Sequence, residues 1–421
     1  MTSPSRLTEL SNGLRVVSQE MPHLQTLAIG IWVDVGARHE AIEHHGISHM
    51  LEHMAFKGTE RRSALQIAQE VEDVGGFMNA YTSREQTAYY MRILKDDLPL
   101  AVDILSDILL RSTFDPSEIE RERGVIIQEI GQSLDTPDDV VFDLLQEASF
   151  EEQAMGRTIL GTEESVSSFS QETLHGYMSG RYGANRMVLA AAGKLDHANL
   201  VALAEEKLGG LQKRVELEAE PASFSGGVRL DPKDLEQAHV TVAFDGLSYR
   251  SDDYYALQVL INVLGGGMSS RLFQEVREKR GLCYSIYAYG ASYADAGSVG
   301  IYAGTGPDQV RDLTSVIADV VRDVPGTLTL EEVERAKIQM NSGLMMGLES
   351  PSSWCEQLGR HVLLFGAPIP PETLQSRVSE VSLEKVRDLA GSLFGQRPPA
   401  LAAVGPINQL ESHAQIAAKF S

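Results

Sequence analysis

Two stretches of this 421-residue chain repeat one another at nearly the same spacing. That repetition limits the fold more than any other feature, because a duplicated unit must build the same scaffold twice. Asp115-Pro116-Ser117-Glu118 opens onto IERER, and Thr329-Leu330-Glu331-Glu332 opens onto VERAK; both openings resemble capping boxes at a helix start. Setting Glu120 on Glu334 gives an offset of 214 (334 − 120), and the Ala-rich stretches ending at Gly193 and Gly405 give 212 (405 − 193). The order of elements between these anchors agrees. Gln25 to Gly36 alternates apolar and polar residues as a half-buried strand does, NAYTS and QTAYYMRIL read as a hairpin, and Met187 to Gly193 reads as a buried strand. Residues 46–57 and 64–74 read as helices. The expected fold is α+β: two tandem homologous α/β domains, each a mixed or antiparallel sheet packed with helices. The breaker-rich stretch Glu220-Pro221-Ala222-Ser223-Phe224-Ser225-Gly226-Gly227 predicts a boundary. The domains are then 1–219 and 231–421, joined by a linker over 220–230.

Composition excludes several classes. Hydrophobic residues at 43% and charged residues at 23% fit a soluble globular chain. No apolar run reaches the roughly 18 residues of a membrane span, and MTSPSRLTELSNG lacks the apolar core of a secretory signal. Lys and Arg total 36 against 59 Asp and Glu, a formal charge of −23. Such a surface repels nucleic acid and anionic lipid and attracts basic peptides. With only Cys283 and Cys355 there is no disulfide framework, and the cytoplasm is the expected compartment.

Four of the 11 histidines fall between positions 44 and 53. In His49-Met50-Leu51-Glu52-His53 the two terminal imidazoles lie one helical turn apart on one face, a spacing that can hold one zinc ion. Glu52 lies on nearly the same face, where a carboxylate can act as general base toward water without being a ligand. The competing reading is a polar helix face with solvated histidines. Ile47, Met50, Leu51, Met54 and Phe56 argue against it, since they make the helix half buried. A catalytic zinc needs a third protein ligand and an open position. Glu129, 76 residues beyond His53 (129 − 53), is a candidate, and Glu122, two helical turns earlier, could then accept a hydrogen bond from a ligand histidine; taken singly, any glutamate on this acidic helix reads first as ordinary surface charge. At the offset of 214, Glu122 falls on Ala336 and Glu129 on Gly343, and the counterpart of the histidine helix reads LINVLGGGM. The second half therefore keeps the scaffold without the metal ligands.

His49-Met50-Leu51-Glu52-His53 with its later glutamate resembles the inverted-zincin peptidases of the pitrilysin and insulysin family. HGISHMLEHMAFKGT, GGFMNAYTSREQTAYY and RERGVIIQEI look most like the catalytic β subunit of mitochondrial processing peptidase and its bacterial relatives. The resemblance implies zinc held by His49, His53 and Glu129, Glu52 as base and Glu122 in support. It matches the family's second-half pair to Arg277 and Tyr284; from the residues alone these read first as a solvated arginine and a packed tyrosine, although both can serve a substrate carbonyl or oxyanion. The strand from Gly76 to Thr82 resembles the edge on which an extended peptide is laid by strand addition, with Asn79, Ala80 and Tyr81 at the site. Phe56 matches an aromatic lining the pocket beyond the scissile bond. Asp139 and Asp143 match acidic residues for an upstream arginine, or else are a helix start with acids at its N-terminal dipole.

The same resemblance implies zinc-dependent endopeptidase activity on extended, basic peptides inside a clamshell chamber, carried out by a homodimer that needs no separate partner subunit. Two alternatives stand: a non-catalytic core or assembly subunit on the same fold, and a general oligopeptide degradase. Leu264-Gly265-Gly266-Gly267-Met268-Ser269-Ser270 lacks the lysine of a phosphate loop, and Gly304-Thr305-Gly306 runs into proline, so neither supports a nucleotide site.

Overall fold

The strand-like alternation of the sequence resolves into two sheets. The structure, a computed structural model, describes residues 4–215 and 219–420. The strands are β1 (Arg6–Glu9), β2 (Arg15–Glu20), β3 (Thr26–Val33), β4 (Phe77–Thr82), β5 (Thr87–Leu94), β6 (Met187–Gly193), β7 (Val228–Pro232), β8 (Ala238–Asp245), β9 (Cys283–Ser292), β10 (Gly297–Thr305) and β11 (Ala400–Gly405). The first sheet has the order β1-β2-β6-β3-β5-β4, and the second β7-β11-β8-β10-β9.

The duplication is visible strand by strand. β2 runs parallel to β6, as β7 does to β11; every other neighbour in both sheets is antiparallel. The two Ala-rich strands are β6 and β11, one in each sheet. Both end on a glycine of positive φ, Gly193 at 130° and Gly405 at 107°. A Cβ at Gly193 would lie 2.5 Å from Thr26 O and one at Gly405 2.5 Å from Gln237 O, so only glycine fits where these strands leave the sheet. The helix starts correspond in position but not in detail, for only the second closes a reciprocal capping box, while Glu118 in the first pairs with Arg121. Glu332 and Thr329 exchange bonds (Thr329 N to Glu332 Oε2, 2.8 Å; Glu332 N to Thr329 Oγ1, 3.3 Å), while in the first half Asp115 Oδ1 accepts from Ser117 N at 2.8 Å.

The packing units do not follow the linear boundary. One unit comprises residues 1–130, 158–220 and 344–371; the other comprises 131–157, 221–343 and 372–421. The chain passes between them at 220/221, within the breaker-rich stretch, but each half also lends a helix to the other's unit. In the first unit the helix Pro351–Phe365 covers one face of the six-stranded sheet, packing Trp354, Cys355, Leu358 and Val362 on Val17, Ala28, Trp32, Val188 and Ala190. Gly359 makes this approach close: a Cβ there would meet the Trp32 ring at 2.3 Å. The opposite face carries the larger core with the helix Ile47–Met54. In the second unit the helix Pro137–Ser149 packs Val140, Val141, Leu145 and Ala148 on Ala243, Tyr302, Ala400, Ala402 and Val404. An amphipathic pattern states that a helix buries one face, not which sheet receives it.

Candidate active site

The Ile47–Met54 helix begins abruptly because Gly46 adopts φ 90°, which a side chain would not tolerate: its Cβ would lie 2.7 Å from Leu160 O. Glu40, 3% exposed, then accepts from the N–H groups of Gly46 (2.7 Å) and Ser48 (2.8 Å). A carboxylate on free N–H groups at a helix start is favoured by both hydrogen bonding and the helix dipole. The helix is thereby fixed in rotation, with Ile47, Met50, Leu51 and Met54 in the core and His49 and His53 side by side, ring centroids 4.7 Å apart.

The helix Pro116–Leu134 supplies the facing carboxylates. Glu129 Oε2 lies 3.7 Å from His49 Nε2 and 3.5 Å from His53 Nε2. One donor atom from each of His49, His53 and Glu129 falls within 4.8 Å of the other two, and among the described residues this is the one set of three or more His, Cys, Asp or Glu side chains so arranged. Glu122, 6% exposed, accepts from His53 Nδ1 at 3.0 Å and pairs with Lys57 Nζ at 2.8 Å. That bond places the proton on Nδ1 and turns Nε2 toward Glu129, as carboxylates behind a metal-ligating histidine do.

Electrostatics separates the two imidazoles. Burial, then the neighbouring His53, lowers the pKa of His49 to about 4, leaving it neutral and able to donate a lone pair. His53 is raised: burial opposes its charge, but Glu129 and Glu122 outweigh it. Glu129 is held below the usual carboxylate range, chiefly by His53. Burial pushes the Glu52 carboxyl up, while its hydrogen bond to Thr82 pulls it down. Two imidazoles and one carboxylate converging from two helices fit zinc, which takes such N and O donors and keeps a fourth position open in catalytic sites. One detail departs from the usual pattern: His49 Nδ1 is buried without a partner.

The edge strand β4 divides its side chains between two faces. Alternation sends Ala80, with Met78, into the core beneath the histidine helix, and Thr82 toward Ser48 and Glu52. Tyr81 points to the other face. Its hydroxyl accepts from Trp32 Nε1 (3.2 Å) and donates to Glu356 Oε1 (2.7 Å) on the lent helix. Asn79 shares that parity, and its Oδ1 accepts from the N–H of Ala80 at 2.8 Å. Ala80 thus shares a face with Glu52, while Asn79 and Tyr81 turn their side chains to the other face and all three keep their main chain on the edge strand; Thr82 is the residue that sequence reasoning missed. Counting by twos from Ala80 would have found it. Glu40, Lys57 and Tyr177, whose hydroxyl meets Ser48 Oγ at 3.2 Å, carry no comparable local signal. Phe56 follows directly on the histidine helix, partly buried against the same core.

The remaining expected residues belong to the second unit. Asp139 is exposed in the first turn of the helix Pro137–Ser149, and Asp143 lies one turn on. Arg277 stands in a six-residue π-helical turn, Phe273–Glu278, and Tyr284 at the start of β9. The guanidinium carbon of Arg277 is 5.1 Å from the Tyr284 ring centroid.

A duplicated α/β scaffold carrying a His-x-x-Glu-His helix and a facing glutamate defines a class of metallopeptidase folds. The insulinase (peptidase family M16) pattern matches residues 15–163, and that of the peptidase M16 inactive domain matches 168–340. The chain belongs to this family. It is 39% identical over 403 residues to an uncharacterized zinc protease, YmxG, of Bacillus subtilis, covering 95% of this chain and 98% of its relative. It is 38% identical over 417 residues to an uncharacterized zinc protease of Streptomyces coelicolor, covering 97% and 91%. Among solved structures, a protease from Helicobacter pylori superposes with TM-score 0.90 at 20% identity, covering 96% of this chain and all (100%) of that one. A chain of Complex III2 from Candida albicans superposes with TM-score 0.86 at 21% identity, covering 99% of each. These two likenesses speak for the fold alone, so the function must be argued from the site. No helix among the described residues is long and apolar enough to cross a membrane.

Proposed function

We propose that this chain is a zinc-dependent endopeptidase acting on extended peptides, with His49, His53 and Glu129 as metal ligands. The observation that carries the reading is the convergence of these three side chains within 4.8 Å, with Glu122 bonded behind His53. A zinc ion held there would supply Lewis acidity toward water and the scissile carbonyl. Glu52 takes the proton from the attacking water on its carboxylate and passes it to the leaving amine. A carboxyl raised by burial suits that exchange, since its proton affinity moves toward the working pH.

The open edge of β4 offers main-chain hydrogen bonds to a substrate strand, which gives affinity with little demand on sequence. In that strand Ala80 and Thr82 face Glu52. Arg277 and Tyr284 bind substrate and support the developing oxyanion, and the formal charge of −23 favours encounter with basic peptides. Asp139 and Asp143 would read an arginine in such peptides, and the chain would work as a homodimer.

The test is cleavage of an arginine-containing peptide by the purified chain, with and without chelator, beside Glu52→Gln. The expected result is chelator-sensitive cleavage by the wild type and a variant that binds zinc but does not turn over. A variant that cleaves at the wild-type rate would remove Glu52 from the mechanism. Absence of both zinc and cleavage in the wild type would leave the non-catalytic reading in place.

A further inference from the structure

Arg277 is held in an unusual local setting. The sequence Phe273-Gln274-Glu275-Val276-Arg277-Glu278 forms a π-helical turn closed by the N–H of Lys279 on Gln274 O at 3.0 Å. Single π turns inside helices are rare and occur mostly at functional sites. Gly281 then adopts φ 62°, with nothing within 4 Å of a would-be Cβ, and the chain doubles back: Leu282 N–H reaches Val276 O at 3.1 Å. This reversal carries Tyr284 to the arginine. The guanidinium carbon of Arg277 therefore lies over two rings, 4.6 Å from the Phe273 centroid and 5.1 Å from that of Tyr284.

The polar side of the same group is free. Among the described residues the only carboxylate near it is that of its chain neighbour Glu278, at 4.0 Å, and no hydrogen bond occupies its N–H groups. The arginines around it differ. Arg271 is tied to Glu332 and Thr327, and Arg280 to Glu275. Tyr284 is 78% exposed, so packing against the core does not fix it. A guanidinium immobilised by its faces and unengaged at its edge is prepared to grip a planar acceptor such as a peptide carbonyl or a carboxylate.

We infer that Phe273 is a positioning residue for substrate binding: its ring orients the Arg277 guanidinium so that the N–H edge stays directed at the peptide. The inference rests on the reading of Arg277 and Tyr284 as substrate-binding groups. A cation–π contact is worth enough that losing it should lower kcat/KM roughly threefold to thirtyfold.

The experiment uses the full chain with Phe273→Leu, Phe273→Tyr, Arg277→Ala and the Phe273→Leu/Arg277→Ala pair. Phe273→Leu is expected to lower kcat/KM in that range, raising KM as the grip on bound peptide loosens and lowering kcat so far as the same guanidinium supports the oxyanion. Phe273→Tyr, which keeps an aromatic face, restores the wild-type value, and Phe273→Leu costs nothing further once Arg277 is alanine. An equal loss in both backgrounds, or no loss in the first, overturns the proposal. A second readout does not depend on activity. In chain labelled with 15N-arginine, the Arg277 Nε–H resonance, identified by its loss in Arg277→Ala, should shift in Phe273→Leu as the ring current disappears. A wild-type chain without chelator-sensitive cleavage, but with that shift, would sink the peptidase reading and leave the ring contact standing. An unmoved resonance would refute the contact itself.

Discussion

Replacing Glu122 by glutamine tests the support of the metal ligands without touching a ligand. The amide can still accept from His53 Nδ1, now 3.0 Å from the carboxylate, so geometry survives and charge is lost. Charge-assisted hydrogen bonds contribute about 1.5–3 kcal/mol and neutral ones about 0.5–1.5, a difference of about 1–1.5 kcal/mol. At about 1.4 kcal/mol per decade, zinc affinity should fall roughly tenfold. The wider experience with carboxylates behind metal-bound histidines, about tenfold to a hundredfold, brackets that value. Lys57 loses its partner as well, but its side chain is 31% exposed and can turn to water, which limits the cost to the fold. The assay is zinc competition against a chromogenic chelator, with circular dichroism and urea unfolding of the apo chains as controls. An unchanged zinc affinity in a folded variant would refute the reasoning, because His53 would then need no carboxylate behind it.

Two further predictions concern the scaffold. Gly359→Ala should destabilise the chain by about 1–2 kcal/mol: overpacking costs about 1–3 kcal/mol and the gain in helix propensity returns about 0.5–1. Its new methyl would meet Trp32, 1% exposed and tied by Nε1 to Tyr81, at 2.3 Å; a rise in urea midpoint would show that Trp32 yields and the argument fails. His39 accepts from Gly36 N–H at 3.1 Å, and burial, then the charges of Arg186 and Arg38, lowers its pKa to about 3. It stays neutral in the fold while the unfolded chain takes up a proton below about pH 6.5, so stability is lost as pH falls from about 6.5 toward 3, at up to about 1.4 kcal/mol per unit. His39→Asn, which retains an acceptor, should flatten the slope of unfolding free energy against pH; an identical slope would exclude His39 as its source.

The features legible in the sequence were local or periodic. His49, Glu52 and His53 declare themselves by one turn of helix, and Glu122 and Glu129 share a face of another by a two-turn spacing, but it is the resemblance that joins the two helices, since helix geometry does not reach across 76 residues. The duplicated sheets followed from two Ala-rich strands ending in glycine. Glu40 and Lys57 escaped because nothing in their own neighbourhoods marks the groups they bond. Asn79, Ala80 and Tyr81 are legible together as an edge strand, but which of their side chains faces Glu52 follows from alternation: one residue along a strand is the opposite face. The lent helices Pro137–Ser149 and Pro351–Phe365 were also out of reach, since their patterns announce burial without an address.

The lent helix Pro351–Phe365 also bears on how the protein can be made. Arg15 on β2 donates from Nη1 to Val362 O at 2.9 Å across a separation of 347 residues. At ribosomal rates of about 5–20 residues per second, roughly 20 to 70 seconds separate the appearance of the two partners. Through that interval the nascent chain shows Val17, Ala28 and Trp32, joined about halfway by Val188 and Ala190, to whatever is nearby. Long-range closure of this kind slows folding and exposes apolar surface to aggregation. The first half is thus synthesised long before it can be finished, and a chain stalled or cut before Pro351 would leave the ribosome as a client for chaperones and proteases.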